Sequence, residues 1–272
     1  MAGRIAIVTG SNQGIGFWIA TQLAKSGAFE TTVLACRRAD AAAEAAAKIT
    51  EAGGSGVVSM TVDISKPQSV KDFVTAFASK YGKLDCLVNN AGMAFKSADP
   101  TPFNDQAAPT VATNFTGTVN LTMALLPLLL KSKESPRVVN VASRAGLLKI
   151  LKSPDDHRKL FTNPKSLEAL SKTMAEFVAD VKANGTDNKF ANTTYGMSKC
   201  GVIAWTGLMQ RLSPTIGWSA MCPGYCNTSM SSGKGPRPAA EGAETASWLA
   251  LSEDEAVFKS GGFFGEKKRL TW

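Results

Sequence analysis

Short runs of β-branched and other apolar residues alternate with longer helical patterns along most of this 272-residue chain. The runs that predict strands are 4–9, 32–36, 57–62, 86–89, 137–142 and 218–222. The segments that predict helices are 14–25, 39–52, 66–80, 106–130 and 194–210. Such alternation gives parallel strands joined by right-handed crossovers, with helices on both faces of the sheet. We therefore predict an α/β fold with one doubly wound parallel sheet, whose ligands bind at the carboxyl ends of the strands.

Two segments depart from this repeat. Segment 147–190 precedes the predicted helix 194–210, and its apolar residues fall on one helical stripe at Leu167, Leu170, Met174, Phe177, Val178 and Val181. We expect an inserted amphipathic helix there. Segment 227–238 is rich in serine, glycine and proline, which predicts a loop that would act as a lid over a neighbouring crevice. No linker divides the chain, so we predict one domain over 1–272.

Composition and charge exclude several classes of function. The longest apolar stretch, 121–130, is interrupted by Pro127 and has about half the length of a membrane-spanning helix. The apolar run 5–8 is too short for a secretory leader. We therefore expect a cytoplasmic protein with no membrane partner. The net charge is +8, but the basic residues form no long run, so we expect no nucleic-acid partner.

Cysteine and histidine are too few and too scattered for a disulfide scaffold or a metal centre. The five cysteines include no Cys-x-x-Cys pair, and we expect reduced, mostly buried thiols. The single histidine, His157, stands in a charged stretch and is expected to face solvent. One histidine and scattered cysteines do not provide a ligand set for zinc or iron. The basic residues 267–269 are expected to form a solvated tail.

A glycine-rich turn joins the first predicted strand to the first predicted helix. It contains Gly10, Gly14 and Gly16 in the spacing GxxxGxG, which differs from the commoner GxGxxG. Glycines allow a tight turn and let a pyrophosphate approach the backbone N–H groups at the positive end of a helix. The turn therefore predicts dinucleotide binding, with a turn that binds no ligand as the alternative.

Two arginines, Arg37 and Arg38, follow the second predicted strand. NAD sites place an acidic residue at this point to bind the adenosine ribose, whereas a 2′-phosphate needs a cation. A guanidinium binds a phosphate through two hydrogen bonds. The pair thus favours NADPH or NADP as the cofactor. Two ordinary solvated arginines beside Asp40 are the alternative.

Tyr195 and Lys199 are four residues apart in a predicted helix, so they project from one face. A cation close to a phenol favours the phenolate and lowers the pKa of the phenol from about 10. Tyr195 would then exchange a proton with a carbonyl oxygen. Because such a pair is common by chance, it gains weight only together with other residues.

With these residues the chain resembles the short-chain dehydrogenase/reductase family, which has the Rossmann fold. The motifs that carry the resemblance occur in family order and are Thr9 to Gly16, Asp63-Ile64, Asn89-Asn90-Ala91-Gly92, Asn114, Ser143, Tyr195 with Lys199, and Pro223-Gly224. The resemblance implies that Ser143 holds the substrate carbonyl and that Tyr195 is the general acid. Lys199 would bind the nicotinamide ribose and lower the pKa of Tyr195, and Asn114 would support a water that connects Lys199 to solvent.

The resemblance also implies further contacts with the cofactor. Asp63 and Ile64 would border the adenine, Asn89 the adenosine ribose, and Thr228 the nicotinamide carboxamide. The other implied cofactor contacts are Asn12, Gln13, Ile15, Ala91, Gly92, Pro223 and Gly224, besides Tyr195 and Lys199. For several of these residues, stabilisation of the sheet is the alternative role.

The long sequence separation of Ser143 and Tyr195 resembles the carbonyl reductase branch of the family. That branch is NADPH-dependent, is often monomeric, and reduces quinones, aldehydes and ketones to alcohols. Its insertion covers a helical surface that other members use for subunit contacts, so the resemblance implies a monomer. The expected substrate contacts are Met93, Phe95, Tyr225 and Met230. Two alternatives remain, namely an NADP-dependent alcohol or steroid dehydrogenase of the same family and a dinucleotide-binding regulator without turnover.

Overall fold

Eight strands form one sheet in the computed structural model, which describes residues 3–96 and 98–272. In chain order they are β1 (Ile5–Thr9), β2 (Thr31–Cys36), β3 (Val57–Thr61), β4 (Cys86–Asn89), β5 (Arg137–Val141), β6 (Gly217–Met221), β7 (Phe263–Gly265) and β8 (Lys268–Leu270). Across the sheet the order is β3-β2-β1-β4-β5-β6-β7-β8. The strands from β1 to β7 pair in parallel, and β8 pairs antiparallel with β7. The strand order reverses between β1 and β4, which places a crevice at their carboxyl ends.

Helices connect these strands. They are α1 (Gly14–Lys25), α2 (Ala39–Glu51), α3 (Pro67–Tyr81), α4 (Phe103–Val111), α5 (Thr118–Leu129), α6 (Pro154–Thr162), α7 (Leu167–Asn184), α8 (Thr194–Leu212), α9 (Ala239–Leu251) and α10 (Glu255–Phe258). A π-helical turn, Ala112–Gly117, joins α4 to α5. Short 3₁₀ turns are formed by Arg144–Gly146, Leu148–Ile150 and Gly185–Asp187.

Helices cover both faces of the sheet, and each face has its own apolar core. On one face α1, α2 and α9 pack with the strands, and Ile19 and Leu249 are fully buried there. On the other face lie α3, α5 and α8, with Phe77, Leu125 and Trp205 fully buried. The predicted doubly wound α/β fold is therefore confirmed.

Segment 147–190 contains α6 and α7, and α7 packs against α4 and α8. Helix α7 begins after Ser166, whose hydroxyl accepts a hydrogen bond from the Ala169 N–H at 3.0 Å. The predicted stripe forms its buried face, on which Leu170, Phe177 and Val181 have no exposed surface. The helix is thus held to the rest of the chain by apolar burial.

Several elements differ from the sequence-based expectations. The predicted helix 106–130 is two α-helices joined by the π-helical turn. The sequence predicts neither α9, whose alanine and glycine residues give little amphipathic contrast, nor the three-residue strands β7 and β8, which are too short for a periodic signal. Residues 267–269 lie at the turn and in β8 rather than in a tail, although the side chains of Lys268 and Arg269 are exposed.

The expectation for His157 is wrong. Its imidazole is only partly exposed and stacks on the ring of Phe190, with 4.5 Å between the ring centroids. An aromatic face offers the imidazole more burial than the charged local sequence suggests. The five cysteines are free and buried, as predicted. Among the helices of the described residues, none is both long enough and apolar enough to cross a membrane.

Candidate active site

A cleft opens at the carboxyl ends of β1, β2 and β4, with a cavity volume of ≈ 480 Å³. It brings together the glycine-rich turn, both arginines and residues from the loops after β3, β4 and β6. The predicted site residues that line it are Gly10, Asn12, Gln13, Gly14, Ile15, Gly16, Arg37, Arg38, Asp63, Ile64, Ala91, Gly92, Met93, Thr228 and Met230. Positions spread over most of the sequence therefore share one cavity.

The glycine-rich turn has a backbone that other residues would disturb. Gly10 and Gly14 have φ values of 63° and 58°, in the left-handed region. A Cβ atom on Gly16 would lie 2.5 Å from the carbonyl oxygen of Gly10. Helix α1 begins at Gly14, and the side chain of its N-cap residue, Gln13, makes no capping hydrogen bond. The first N–H groups of α1 are therefore placed to bind an anion.

Arg37 and Arg38 line the other end of the cleft, and Arg37 is close enough to Asp63 to affect the pKa of its carboxyl. Burial raises the pKa of the Asp63 carboxyl, but the Ser65 hydrogen bonds and the charges of Arg37 and Lys66 outweigh it, so the net pKa is below its ordinary value. Both arginines are exposed, and neither forms a salt bridge with an acidic side chain in the described part of the chain. Two guanidinium groups thus remain to bind a phosphate.

Ser143, Tyr195 and Lys199 meet where β5 ends and α8 begins. Ser143 follows β5 and accepts a hydrogen bond from the Ala145 N–H at 3.1 Å. Thr193 caps α8 by accepting a hydrogen bond from the Gly196 N–H at 3.0 Å, which fixes the turn that carries Tyr195. The Lys199 ammonium lies 5.7 Å from the centroid of the Tyr195 ring. These three side chains therefore form one cluster.

The two titratable groups of this cluster have shifted pKa values. Burial, with a smaller effect of Cys222, raises the pKa of Tyr195 to about 12, and the Ser143 hydroxyl opposes this shift. Burial lowers the pKa of Lys199 to about 8. The structure therefore does not show the expected lowering of the Tyr195 pKa by Lys199. The Lys199 ammonium donates to the Val141 carbonyl at 2.8 Å, and burial is the largest cause of the pKa shift at both residues. Tyr195 is thus a protonated phenol at neutral pH.

Asn114 lies in the π-helical turn and is buried beside this cluster. Its Oδ1 accepts from the Met93 N–H at 2.7 Å, and its Nδ2 donates to the Met93 carbonyl at 2.8 Å and to the Ser198 hydroxyl at 3.0 Å. Ser198 in turn donates to the Tyr195 carbonyl at 2.7 Å. The Asn114 side chain thus connects the loop after β4 to the first turn of α8, and its link to a water stays a prediction.

Gly92 connects the cluster to the cleft. It lines the cavity, and a Cβ atom built on it would lie 3.6 Å from the Lys199 Nζ. That is an ordinary contact distance, whereas the same Cβ atom would lie only 3.1 Å from the Asn114 Oδ1, so Gly92 packs closely between the cavity and the cluster. The cleft and the cluster of Ser143, Tyr195 and Lys199 therefore adjoin at Gly92.

Other predicted site residues lie elsewhere. Asn89 does not line the cleft, since its amide donates to Thr122 at 2.8 Å and to Asn140 at 2.9 Å in the core. Pro223 and Gly224 also lie outside the lining, as do Phe95, which is partly buried, and Tyr225, which is 59% exposed.

Some residues that line the cleft were not expected to contact a ligand, namely Ala35, Val62, Ser65, Asn90, Thr113 and Ser229. The Asn90 amide donates to the carbonyls of Thr9 at 2.9 Å and Gly10 at 3.1 Å, so it holds the glycine-rich turn. Its place in the motif Asn89-Asn90-Ala91-Gly92 is the sequence signal that could have identified it.

Comparison with known proteins places this architecture among oxidoreductases. The short chain dehydrogenase family matches residues 4–154. The chain is 36% identical to carbonyl reductase (NADPH) 3 of Rattus norvegicus, with 99% of this chain and 98% of the relative covered. It is 37% identical to carbonyl reductase (NADPH) 1 of Sus scrofa, with coverage of 99% and 94%.

Solved structures are similar as well. Salutaridine reductase from Papaver somniferum superposes with a TM-score of 0.85 at 28% identity, covering 97% of this chain and 99% of that protein. Menthone neomenthol reductase from Mentha piperita gives a TM-score of 0.81 at 28% identity with the same coverage. The similarity thus extends over nearly the whole chain in sequence and in fold.

Proposed function

The chain belongs to the short-chain dehydrogenase/reductase family, and from this premise we propose that it reduces carbonyl compounds to alcohols with NADPH. The observation that carries the proposal is the cluster of Ser143, Tyr195 and Lys199 next to a cleft that contains a glycine-rich turn and two exposed arginines. The relatives named carbonyl reductase (NADPH) cover nearly the full chain at 36–37% identity, which supports the same reaction here.

The cleft suits NADPH. The N–H groups at the start of α1 would bind the pyrophosphate, and Arg37 and Arg38 the 2′-phosphate. Asp63 and Ile64 would border the adenine, and Thr228 the carboxamide. When bound, NADPH supplies the hydride that the carbonyl carbon accepts.

The residues of the cluster handle the oxygen. Ser143 would donate a hydrogen bond to the substrate carbonyl oxygen and hold it near the phenol. Tyr195 would give its proton to that oxygen as the carbon receives hydride, so the product is an alcohol. Because burial raises the pKa of Tyr195 to about 12, the phenol is protonated before the reaction, as a proton donor must be. Lys199 would hold the nicotinamide ribose and supply positive charge beside the developing phenolate.

Apolar side chains suggest the class of substrate. Met93 and Met230 line the cleft, and Tyr225 is exposed on the loop after β6. These surfaces suit quinones and hydrophobic aldehydes or ketones. The test measures the oxidation of NADPH with a panel of such compounds and, in parallel, the reduction of NADP with the corresponding alcohols. Reduction of the panel is expected to dominate. Faster alcohol oxidation would instead indicate a dehydrogenase, and NADPH binding without turnover a regulator.

Replacement of Arg37 by alanine is expected to raise the KM for NADPH about tenfold or more, with little effect on the KM for NADH, because a charge-assisted contact with the 2′-phosphate is lost. Arg38→Ala should act in the same direction. Steady-state kinetics with both cofactors measures the effect. Arg269→Ala, which removes an exposed arginine on β8, is the matched control. An equal loss with NADH would contradict a role in binding the 2′-phosphate.

We also propose that the chain is a cytoplasmic monomer. Helix α7 packs on α4 and α8 and so covers a helical surface that would otherwise be open to a partner subunit. Free, buried cysteines suit a reducing compartment. Light scattering at several protein concentrations is expected to give the mass of one chain throughout. A mass that rises to twice that value would contradict the proposed monomer.

A further inference from the structure

The loop after β6 is closed at its base by residues that the proposed reaction does not use. Cys226 and Arg237 form an isolated parallel bridge, and the Asn227 N–H donates to the Arg237 carbonyl at 2.8 Å. The Arg237 side chain forms salt bridges with Glu241 at 3.7 Å and with Glu266 at 3.6 Å. The base of the predicted lid 227–238 is therefore tied to α9 and to the turn between β7 and β8.

Within this loop, the hydroxyl of Ser231 bonds to the backbone on both sides of Thr228. It accepts a hydrogen bond from the Thr228 N–H at 3.1 Å. It donates toward the carbonyls of Cys226 at 2.7 Å and of Thr228 at 3.0 Å, which share its one proton. The Gly233 N–H donates to the Thr228 carbonyl at 3.0 Å as well. One side-chain hydroxyl thus connects the base of the loop to its cleft-facing part.

The residues held in this way face the cleft. Thr228, Ser229 and Met230 all line the cavity. The Thr228 methyl carbon lies 3.4 Å from the position of a Cβ atom on Gly14, so the loop closes directly over the start of α1. A change in the Thr228 backbone would move this wall relative to the glycine-rich turn.

We propose that Ser231 is a positioning residue, whose hydroxyl sets the conformation of 228–230 and thereby the affinity for the nicotinamide half of NADPH. The inference rests on the proposed function, since it assumes that the cleft binds NADPH. Ser231 itself lies outside the cavity lining and acts through the Thr228 backbone. Its loss would leave the arginine end of the cleft unchanged.

The experiment compares two ligands that occupy different lengths of the cleft. NADPH would fill it, whereas adenosine 2′,5′-bisphosphate would reach only the arginine end. Ser231→Ala is expected to weaken NADPH binding about fivefold and to leave the affinity for the bisphosphate within about twofold, because the hydrogen bonds of the hydroxyl with the backbone of Cys226 and Thr228 are lost. Ser231→Thr keeps the hydroxyl and should restore NADPH binding. Ser232→Ala removes an exposed neighbouring hydroxyl and should change neither ligand.

The outcomes of this experiment distinguish a positioning role of Ser231 from a general effect on the fold. Selective loss of NADPH affinity in Ser231→Ala, with rescue by threonine, supports the positioning role. Equal weakening of both ligands would show a general disturbance of the fold, and no weakening would show that the hydroxyl is dispensable; either result overturns the inference. If the unmodified protein binds NADPH no more tightly than NADH, the proposed cofactor is wrong, whatever the effect of Ser231→Ala.

Discussion

Replacement of Tyr195 by phenylalanine is expected to lower kcat for carbonyl reduction by at least about a hundredfold, with NADPH binding changed by less than about twofold. Desolvation by the surrounding protein raises the pKa of the phenol to about 12, so the phenol carries the proton that the carbonyl oxygen needs. Phenylalanine keeps the ring beside the Lys199 ammonium and removes only the hydroxyl near Ser143. The change therefore removes the proton donor and leaves the shape of the cluster almost intact.

The control is Tyr81→Phe. The Tyr81 hydroxyl is buried at the end of α3 and has no hydrogen-bond partner among the described residues, and its ring packs on Phe77 with 4.9 Å between centroids. This variant loses the same chemical group far from the cluster and should keep its kcat. Single-turnover oxidation of bound NADPH, measured with a quinone and with a ketone, separates the chemical step from product release. An unchanged rate in Tyr195→Phe would overturn the assigned proton donor.

The sequence predicts many of the residues that line the cleft, because the signal for them is local. The spacing of Gly10, Gly14 and Gly16 between a strand and a helix determines a turn, and the reversal of strand order then determines where that turn lies. Arg37 and Arg38 follow the neighbouring strand and so reach the same edge of the sheet. Backbone constraints of this kind depend on few residues, and the sequence contains them directly.

Side-chain direction is harder to predict, as Asn89 and Asn90 illustrate. They are adjacent in one motif, but successive side chains at the end of a strand point in different directions. Asn89 enters the core, where its amide donates hydrogen bonds to Thr122 of α5 and to Asn140 of β5. Asn90 turns toward Thr9 and Gly10. The motif identifies the region, but the neighbours that select each direction are distant in the sequence.

Burial is the second property that local sequence does not supply. The spacing of Tyr195 and Lys199 places both on one face of α8, which suggests a lowered pKa for the phenol. That spacing says nothing about the surroundings, which raise the pKa of Tyr195 and lower that of Lys199. His157 is a second example, because its neighbours in the sequence are charged but its ring stacks on Phe190 and is partly buried.

Replacement of Lys199 by methionine is expected to lower kcat/KM by about a hundredfold, because the charge next to the reacting phenol is lost. The pH profile gives the sharper test of the role of this lysine. Burial lowers the pKa of Lys199 to about 8, so the ammonium is present below that pH and is lost as pH rises through it. Tyr195, with a pKa of about 12, keeps its proton over the same range. We therefore expect kcat/KM to fall about tenfold per pH unit above this point.

The variants assign this fall in activity to one group. Lys199→Met should be slow and independent of pH near 8, because it has no ionising group at this position. Lys199→Arg keeps a cation that stays protonated throughout this range, so any activity that the variant retains should no longer fall near pH 8. The measurement is kcat/KM at saturating NADPH from about pH 6 to about pH 10. If kcat/KM of Lys199→Arg falls with the same midpoint, another group titrates. If kcat/KM of the unmodified enzyme stays constant up to the highest pH measured, the buried ammonium keeps its proton over the whole range. If kcat/KM falls near pH 8 only in the unmodified enzyme, Lys199 is the cation that the proton transfer from Tyr195 requires.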